Sequence, residues 1–261
     1  MAYLPDTQTT SIATSTTEDI IIRDKHLCDD LIGKLTFTEM IFFQMLGRTP
    51  TGAEAAIVDA CLVSLMEHGL TPSALATRLT YTSAPEAMQG AVAAGLLSVG
   101  SLFIGTMDGC ARLLQRLVEV DEKRLADEAR RIAQEHRETR TALPGFGHPI
   151  HRPDDPRALL LLDLARQHGV AGRHVAAIEE LSAAVDAVYE RHITINVTGA
   201  IAAALGDCGV PYEIMRGFAI ITRCAGLVGH VHEEQHKPTL RVVWETSEHA
   251  IPYDGEFDPD S

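Results

Sequence analysis

The stretch Leu143-Pro144-Gly145-Phe146-Gly147-His148-Pro149-Ile150-His151-Arg152-Pro153-Asp154-Asp155-Pro156-Arg157 interrupts a chain that otherwise reads as helix. It holds too many prolines and glycines to continue a helix, so it is read as a loop joining two of them. Glycines on both sides of Phe146 let main-chain groups come close to a ligand, and His148 stands directly after them. Asp155-Pro156-Arg157 places a cation at the start of the next helix, where it can join helix amides in holding a carboxylate. The plain alternatives are a connector loop, a capping Asp155 and a solvated Arg157.

Outward from this loop, apolar residues recur at helical spacing from Lys34 onward. Thr36 with Glu39 three residues later forms a capping-box pattern leading into Met40, Ile41 and Phe43. Helices are expected over 51–68 (ended by Gly69), from Thr71-Pro72, and over 86–100, 108–136, 158–168, 171–191, 199–206 and 211–231. The second half of 108–136 is charged every few residues, which predicts a solvated outer face. Leu240–Trp244 reads as a short β-like run, and a further short strand is expected near Ile20–Ile22. No alternation supports a central sheet. The Thr- and Ser-rich start is too polar to bury a core, so residues 1–18 are expected to be a flexible arm, followed by a folded region over 19–261.

With 261 residues, 46% of them hydrophobic, the chain is long enough for one substantial core or for a large domain with a smaller inserted one. A net charge of −14 repels phosphate backbones and only 5% of residues are aromatic, so nucleic acid is excluded as a leading partner. The five cysteines are scattered without paired metal spacing, and their odd number argues against a disulfide framework. No uninterrupted apolar run reaches the roughly 18 to 20 residues that cross a bilayer, and the start lacks a signal-peptide pattern. A soluble cytoplasmic protein without membrane association is the expectation. His230, His232, Glu233, Glu234 and His236 are residue types that ligate metals, but no distant ligand cluster accompanies them, and no metal is expected.

Five segments in order resemble the citrate synthase superfamily. They are Glu67-His68-Gly69 ahead of Ser73, the turn from Gly100 to Gly109, the Pro144-Gly145-Phe146-Gly147-His148 loop with Asp155-Pro156-Arg157, Asn196-Val197-Thr198-Gly199, and Arg223 followed by Gly226 and Gly229-His230. The resemblance implies an all-α fold with a large helical domain and a small one over about 110–195, the active site lying in the cleft between them. It implies an acyl-CoA substrate or product and a homodimer or dimer of dimers. His148 would act on the carbonyl or hydroxyl oxygen at the reacting carbon. Leu143, Gly145, Phe146 and Gly147 would hold the CoA adenine, and Arg152 a CoA phosphate. His68, Arg157 and Arg223 would bind carboxylates, with Arg241 serving a partner subunit; a solvated charge is the other reading of Arg241.

Two departures bear on the branch. Where synthases carry an enol-stabilising histidine, this chain has Phe103, as in the citryl-CoA lyase module of ATP-citrate lyase, which points to cleavage of an acyl-CoA rather than condensation. Where the family carries an aspartate, this chain has Thr198, whose hydroxyl is no base near neutral pH. Asp108, Asp207 and Glu234 are the candidate replacements. The alternatives to a carbon–carbon lyase are a decarboxylase, a thioester hydrolase and a non-catalytic acyl-CoA-binding paralog.

Overall fold

A computed structural model describes residues 9–100 and 106–255. Helices dominate: α1 (Phe37–Leu46), α2 (Gly52–Met66), α3 (Pro72–Ser83), α4 (Met88–Leu97), α5 (Thr106–Val118), α6 (Glu122–Thr139), α7 (Pro156–Gln167), α8 (Arg173–Tyr189), α9 (Val197–Asp207), α10 (Tyr212–Glu234) and α11 (Leu240–Ala250). Among the described residues the named strands are confined to β1 (Ala13–Ser15), β2 (Ile20–Ile22) and β3 (Lys25–His26), an antiparallel sheet in chain order with Ala13 opposite Ile22 and Ile21 opposite His26. A π-helical turn, Leu27–Leu31, follows. The expected helical fold is what forms, and the strand expected near Ile20 is β2. The first strand lies inside the stretch read as a loose arm; all three of its residues are exposed, so pairing rather than burial holds it.

Local capping accounts for several helix starts. At α1, Glu39 N donates to Thr36 Oγ1 at 3.3 Å and Thr36 N donates to Glu39 Oε2 at 2.7 Å, the reciprocal box expected from the sequence. Thr51 and Glu54 repeat it at α2, with bonds of 3.2 and 2.7 Å. The Arg48 guanidinium also grips Glu54, holding its carboxyl down to about 2. Two expectations are corrected. The stretch 108–136 is two helices, because Asp121 accepts from Lys123 N at 3.1 Å and restarts the helix as α6; apolar spacing continues across the break and hides it. Leu240–Trp244 is not a strand but the start of α11. No residue of α11 is buried, so β-branched Val242 and Val243 gain nothing from a sheet, and Arg241–Glu245 and Trp244–Glu248 contacts four apart favour the helix.

The chain divides into two compact units, Met1–Cys61 with Met107–Met215 and Leu62–Thr106 with Arg216–Ser261. In the first, α9 is buried from Val197 to Gly206 and packs against α7 and α8, while α6 packs on α8. An apolar helix without a polar face belongs at the centre of its unit. Gly172 gives α8 no side-chain cap; Asp207, the last residue of α9, substitutes. It accepts from Gly172 N (2.6 Å), His174 N (2.9 Å), Val175 N (3.0 Å) and His174 Nδ1 (3.0 Å). Burial pushes this carboxyl up, but the His174 bond and the three backbone donors outweigh it and the net shift is downward.

In the second unit, α3 and α4 approach closely at Gly95, where a Cβ would run into Thr77 Oγ1 and stand 2.7 Å from Ser73 O. Ala74, Ala91, Val92, Leu227 and Val231 form its core cluster. Helix α10, at 23 residues, is the one helix among those described that is long and apolar enough on average to cross a membrane. Its buried residues include Thr222, Arg223, His230 and Glu234 besides Leu227 and Val231, as in a core helix.

Asp207→Ala should lower stability by about 2 kcal/mol at pH 7, because it strips the cap from α8 and leaves the amides of Gly172, His174 and Val175 without their acceptor. The contribution of a depressed carboxyl is present above its unfolded value of about 3.9 and is lost as pH falls through the folded one, so the gap between variant and wild type should close in acid. Urea unfolding at pH 7 and pH 3 checks both.

Candidate active site

In the first unit the site is built around Asp155, the N-cap of α7, which is fully buried. Its Oδ1 accepts from Arg157 N (3.1 Å) and Nε (3.0 Å), and its Oδ2 from Arg157 Nη2 (2.9 Å) and Val197 N (3.1 Å). Asp155 N in turn donates to Thr194 Oγ1 at 3.0 Å. Burial opposes the charge on Asp155, yet the Arg157 bonds prevail and its carboxyl stays below the ordinary value. One carboxylate thus fixes the loop's end, the orientation of Arg157 and the start of α9. Asp155 therefore caps its helix and orients Arg157 at the same time.

Arg157 Nη2 lies 3.3 Å from His148 Nε2. His148 Nδ1 accepts from Ile150 N at 3.1 Å and from His151 N at 3.0 Å, and the His151 ring stacks on His148 with centroids 4.3 Å apart. Both ring nitrogens therefore face donors, the amides of Ile150 and His151 at Nδ1 and the Arg157 guanidinium at Nε2, which fixes the position of the ring between the loop and α7.

Gly145 and Gly147 have φ of +86° and +75°, the left-handed region that favours glycine. Their backbone groups are engaged internally: Asn196 N donates to Gly145 O (3.0 Å), Gly147 N to Thr194 O (2.8 Å) and Asn196 Nδ2 to Gly147 O (3.0 Å). A Cβ on Gly145 would collide with Cys110 Sγ and reach Gly199 Cα at 3.1 Å, so these glycines shape the turn. Thr198, largely buried, donates its hydroxyl proton to Asn196 Oδ1 at 2.7 Å, and Gly199 N donates to the same oxygen at 3.1 Å, capping α9. Leu143 and Phe146 line a cavity of about 490 Å³ together with His136, Arg137, Arg140 and Tyr189. Arg137 is fixed by donating to Val188 O and lies 5.9 Å from the Tyr189 ring centroid. Arg152 is exposed on the loop.

In the second unit, His68 is exposed beyond the end of α2. Glu67 Oε1 accepts from His68 N (2.7 Å) and Gly69 N (2.6 Å), and Glu67 Oε2 stands 2.9 Å from His230 Nε2. His230 Nδ1 accepts from Arg78 Nε at 2.9 Å, and buried Arg78 also pairs with Glu233 and, at 3.0 Å, with Glu234. Arg223 is 3% exposed, and its Nε and Nη1 have no hydrogen-bond partner among the described residues. Burial lowers its hold on a proton, and the Glu67 charge opposes that shift. A buried guanidinium with unmet donors is suited to a carboxylate. Arg241, on α11, is 90% exposed and pairs with Glu245 at 2.7 Å. Phe103 lies outside the described residues.

His148, Arg157, Thr198, Gly145 and Gly147 are therefore brought together in one unit; His68 and Arg223 share the influence of Glu67 in the other. Two proposed substitutes for the family aspartate are spent elsewhere: Asp207 caps α8, and Glu234 accepts from Arg78, Thr82 and Thr239. The donors that make His230, Glu233 and Glu234 look like a metal cluster are taken up by Arg78. Sequence reasoning missed Arg137, Arg140 and Asn196. Basic residues in the last turn before the loop signalled the first two, and an Asn three residues before Gly199 signalled the cap.

Residues 9–242 match the family model described as "Citrate synthase, C-terminal domain". The chain belongs to the citrate synthase family. Its structure is similar to that of citryl-CoA lyase from Hydrogenobacter thermophilus, 31% identical, with 96% of each chain covered and a TM-score of 0.85. It shares the fold of the Methanosaeta concilii ATP citrate lyase solved with (3S)-citryl-CoA, at 20% identity and a TM-score of 0.77 over 99% of this chain and 43% of that one. Among curated relatives, a "Putative citrate synthase 2" of Mycobacterium tuberculosis is 33% identical over 188 residues, 68% of this chain and 47% of the relative. The chain spans about half the length of the curated relatives it matches first.

Asp155→Asn keeps the shape but removes the charge that holds Arg157, and should lower stability by about 2–4 kcal/mol in urea unfolding with the helical circular dichroism unchanged. Unaltered stability would show that the anchor is dispensable.

Proposed function

We propose that this member of the citrate synthase family breaks a carbon–carbon bond of a hydroxy- or carboxy-acyl-CoA, in the manner of a citryl-CoA lyase. The observation that carries the reading is the pairing of His148 with Arg157, whose Nη2 stands 3.3 Å from the ring's Nε2: an imidazole beside a carboxylate-anchored cation can stabilise negative charge forming on a thioester or carbonyl oxygen. The likeness to a citryl-CoA lyase over nearly the whole chain supports it. Arg137 and Arg140 give the 490 Å³ cavity a cationic wall suited to a nucleotide, with Leu143 and Phe146 as its apolar side. Arg152 stands on the same loop as a phosphate ligand. Unmet donors on buried Arg223 support a carboxylate ligand, with Arg157 and His68 beside it in role. Arg241, exposed in the single chain, serves a partner subunit in the proposed homodimer or dimer of dimers. Phe103 in place of an enol-stabilising histidine favours cleavage over condensation, and five free thiols suit a reducing cytoplasm.

One observation favours a second form of the reaction. Retro-aldol cleavage needs a group to take the substrate's hydroxyl proton, but Thr198 is no base and already donates to Asn196, which leaves that task to His148. Loss of carbon dioxide from a β-carboxylated thioester needs no such acceptor. The bonding pair moves from the departing carboxylate's carbon bond toward the thioester, the Arg157 cation stabilises the enolate oxygen, and a solvent proton then completes the shortened acyl-CoA.

A panel of CoA thioesters with product masses recorded separates the cases. A shorter acyl-CoA with a keto acid indicates retro-aldol cleavage, a loss of carbon dioxide indicates decarboxylation, and free CoA with an intact acid indicates hydrolysis. His148→Ala should lower turnover about 10²–10⁴-fold with CoA binding kept; retained turnover refutes its role. Thr198→Asp creating citryl-CoA cleavage in a chain otherwise inert on every thioester would favour a binding protein instead.

A further inference from the structure

The segment between α8 and α9 runs as a strap along the His148 loop. Phe146 and Ile195 form an antiparallel bridge, Gly147 N donates to Thr194 O, and Asn196 N donates to Gly145 O. These bonds secure the beginning of the loop. At its other end the loop meets the strap again through Asp154 and Asp155, and at that meeting point His192 lies between two carboxylates. Its Nδ1 is 2.6 Å from Asp186 Oδ2 at the last turns of α8, and its Nε2 is 2.9 Å from Asp154 Oδ1 on the loop. Asp186 Oδ1 also accepts from Ile193 N at 2.8 Å, so that carboxylate is itself held in place; Thr194 Oγ1, whose one proton is shared with Ile195 O at 3.0 Å, stands 3.3 Å from Asp154 Oδ1.

Carboxylate oxygens only accept, so the ring can bond both of them only when each nitrogen carries a proton. We propose that His192 is a positioning residue: as an imidazolium it clamps the end of the His148 loop to α8, and the clamp opens when the ring loses a proton. The charged groups on the packed elements are Asp186 and, at the C-terminal end of α8, Glu190, with Arg191 next in the chain, and His151, Arg152, Asp154, Asp155 and Arg157 on the loop and at the start of α7. Asp155 and Arg157 satisfy each other, which leaves Asp154 and Asp186 as the pair bonded to the ring. Asp186 first and Asp154 second raise the ring's hold on its proton above the ordinary histidine value. A raised value means that the clamp is fully closed below about pH 6.5 and is lost as pH rises through the folded value.

The positioning role rests on the acyl-CoA reading, but the test needs no substrate: CoA binding can fail while the clamp still titrates, and the clamp can fail while CoA still binds. Two measurements on the full chain are proposed. Nitrogen-15 spectra of the histidine rings should show both His192 nitrogens protonated and a midpoint above 6.5. Hydrogen exchange, corrected for its intrinsic pH dependence, should show the loop peptide spanning 144–155 losing protection about tenfold as pH passes that midpoint. His192→Gln should show the low protection at every pH, with α6 peptides unchanged. A ring titrating at or below its ordinary value, or a loop equally protected in the variant, overturns the proposal. Should the variant not fold, the wild-type series decides alone: loop protection must follow the ring's midpoint, and protection that ignores it overturns the clamp.

Discussion

One buried carboxylate organises half of the proposed site. Asp155 cannot stay ionised out of water unless its oxygens are met, and the groups that meet them are the arginine that ends the His148 loop and the first amide of α9. The cost of burying the charge is therefore converted into geometry. Arg157 is aimed, α9 is brought to the loop, and Thr194 is drawn in through the Asp155 amide. Replacing such a group by an apolar one of equal size can leave a fold stable, but it cannot aim a guanidinium.

How much of this was legible in the chain depended on whether the cause was local. The capping box at Thr36, the helix stop at Gly69 and the glycine-flanked loop are written within a few residues, and all were read. The break at Asp121 was missed because apolar spacing runs through it, and α11 was misread because Val242, Val243 and Trp244 suit a strand wherever there is a sheet to join. His148, Arg157 and Thr198 were named from a motif. What the motif could not convey was the network among distant residues: Thr194 to Asp155, Asn196 to Gly147, and Arg78 through His230 toward Glu67. These pairs are separated by tens to more than a hundred positions, and no periodicity announces them.

The chemistry within reach of His148 in its own unit is dominated by donors. The Arg157 guanidinium favours electron density arriving on a ligand, while Thr198 has its proton committed and Asp155 has its oxygens filled. Such surroundings stabilise an enolate better than they generate one by deprotonation. Charge is distributed in the same sense. The chain carries −14 overall, yet Arg137 and Arg140 stand along one cavity. An anionic nucleotide would be repelled at long range and attracted at contact, and physiological salt, with a screening length of about 8 Å, weakens the first far more than the second.

Beneath Gly145 lies Cys110, fully buried, its thiol pushed up to about 12 by the loss of water. Thiolate is the form that oxidants and electrophiles attack, so the sulfur that supports the Gly145 turn is chemically silent. Cys28, by contrast, is exposed. A maleimide fluorophore or spin probe added at neutral pH can reach Cys28 and the half-buried Cys224 while leaving the turn beneath His148 untouched, giving the native chain built-in attachment points for watching its motions.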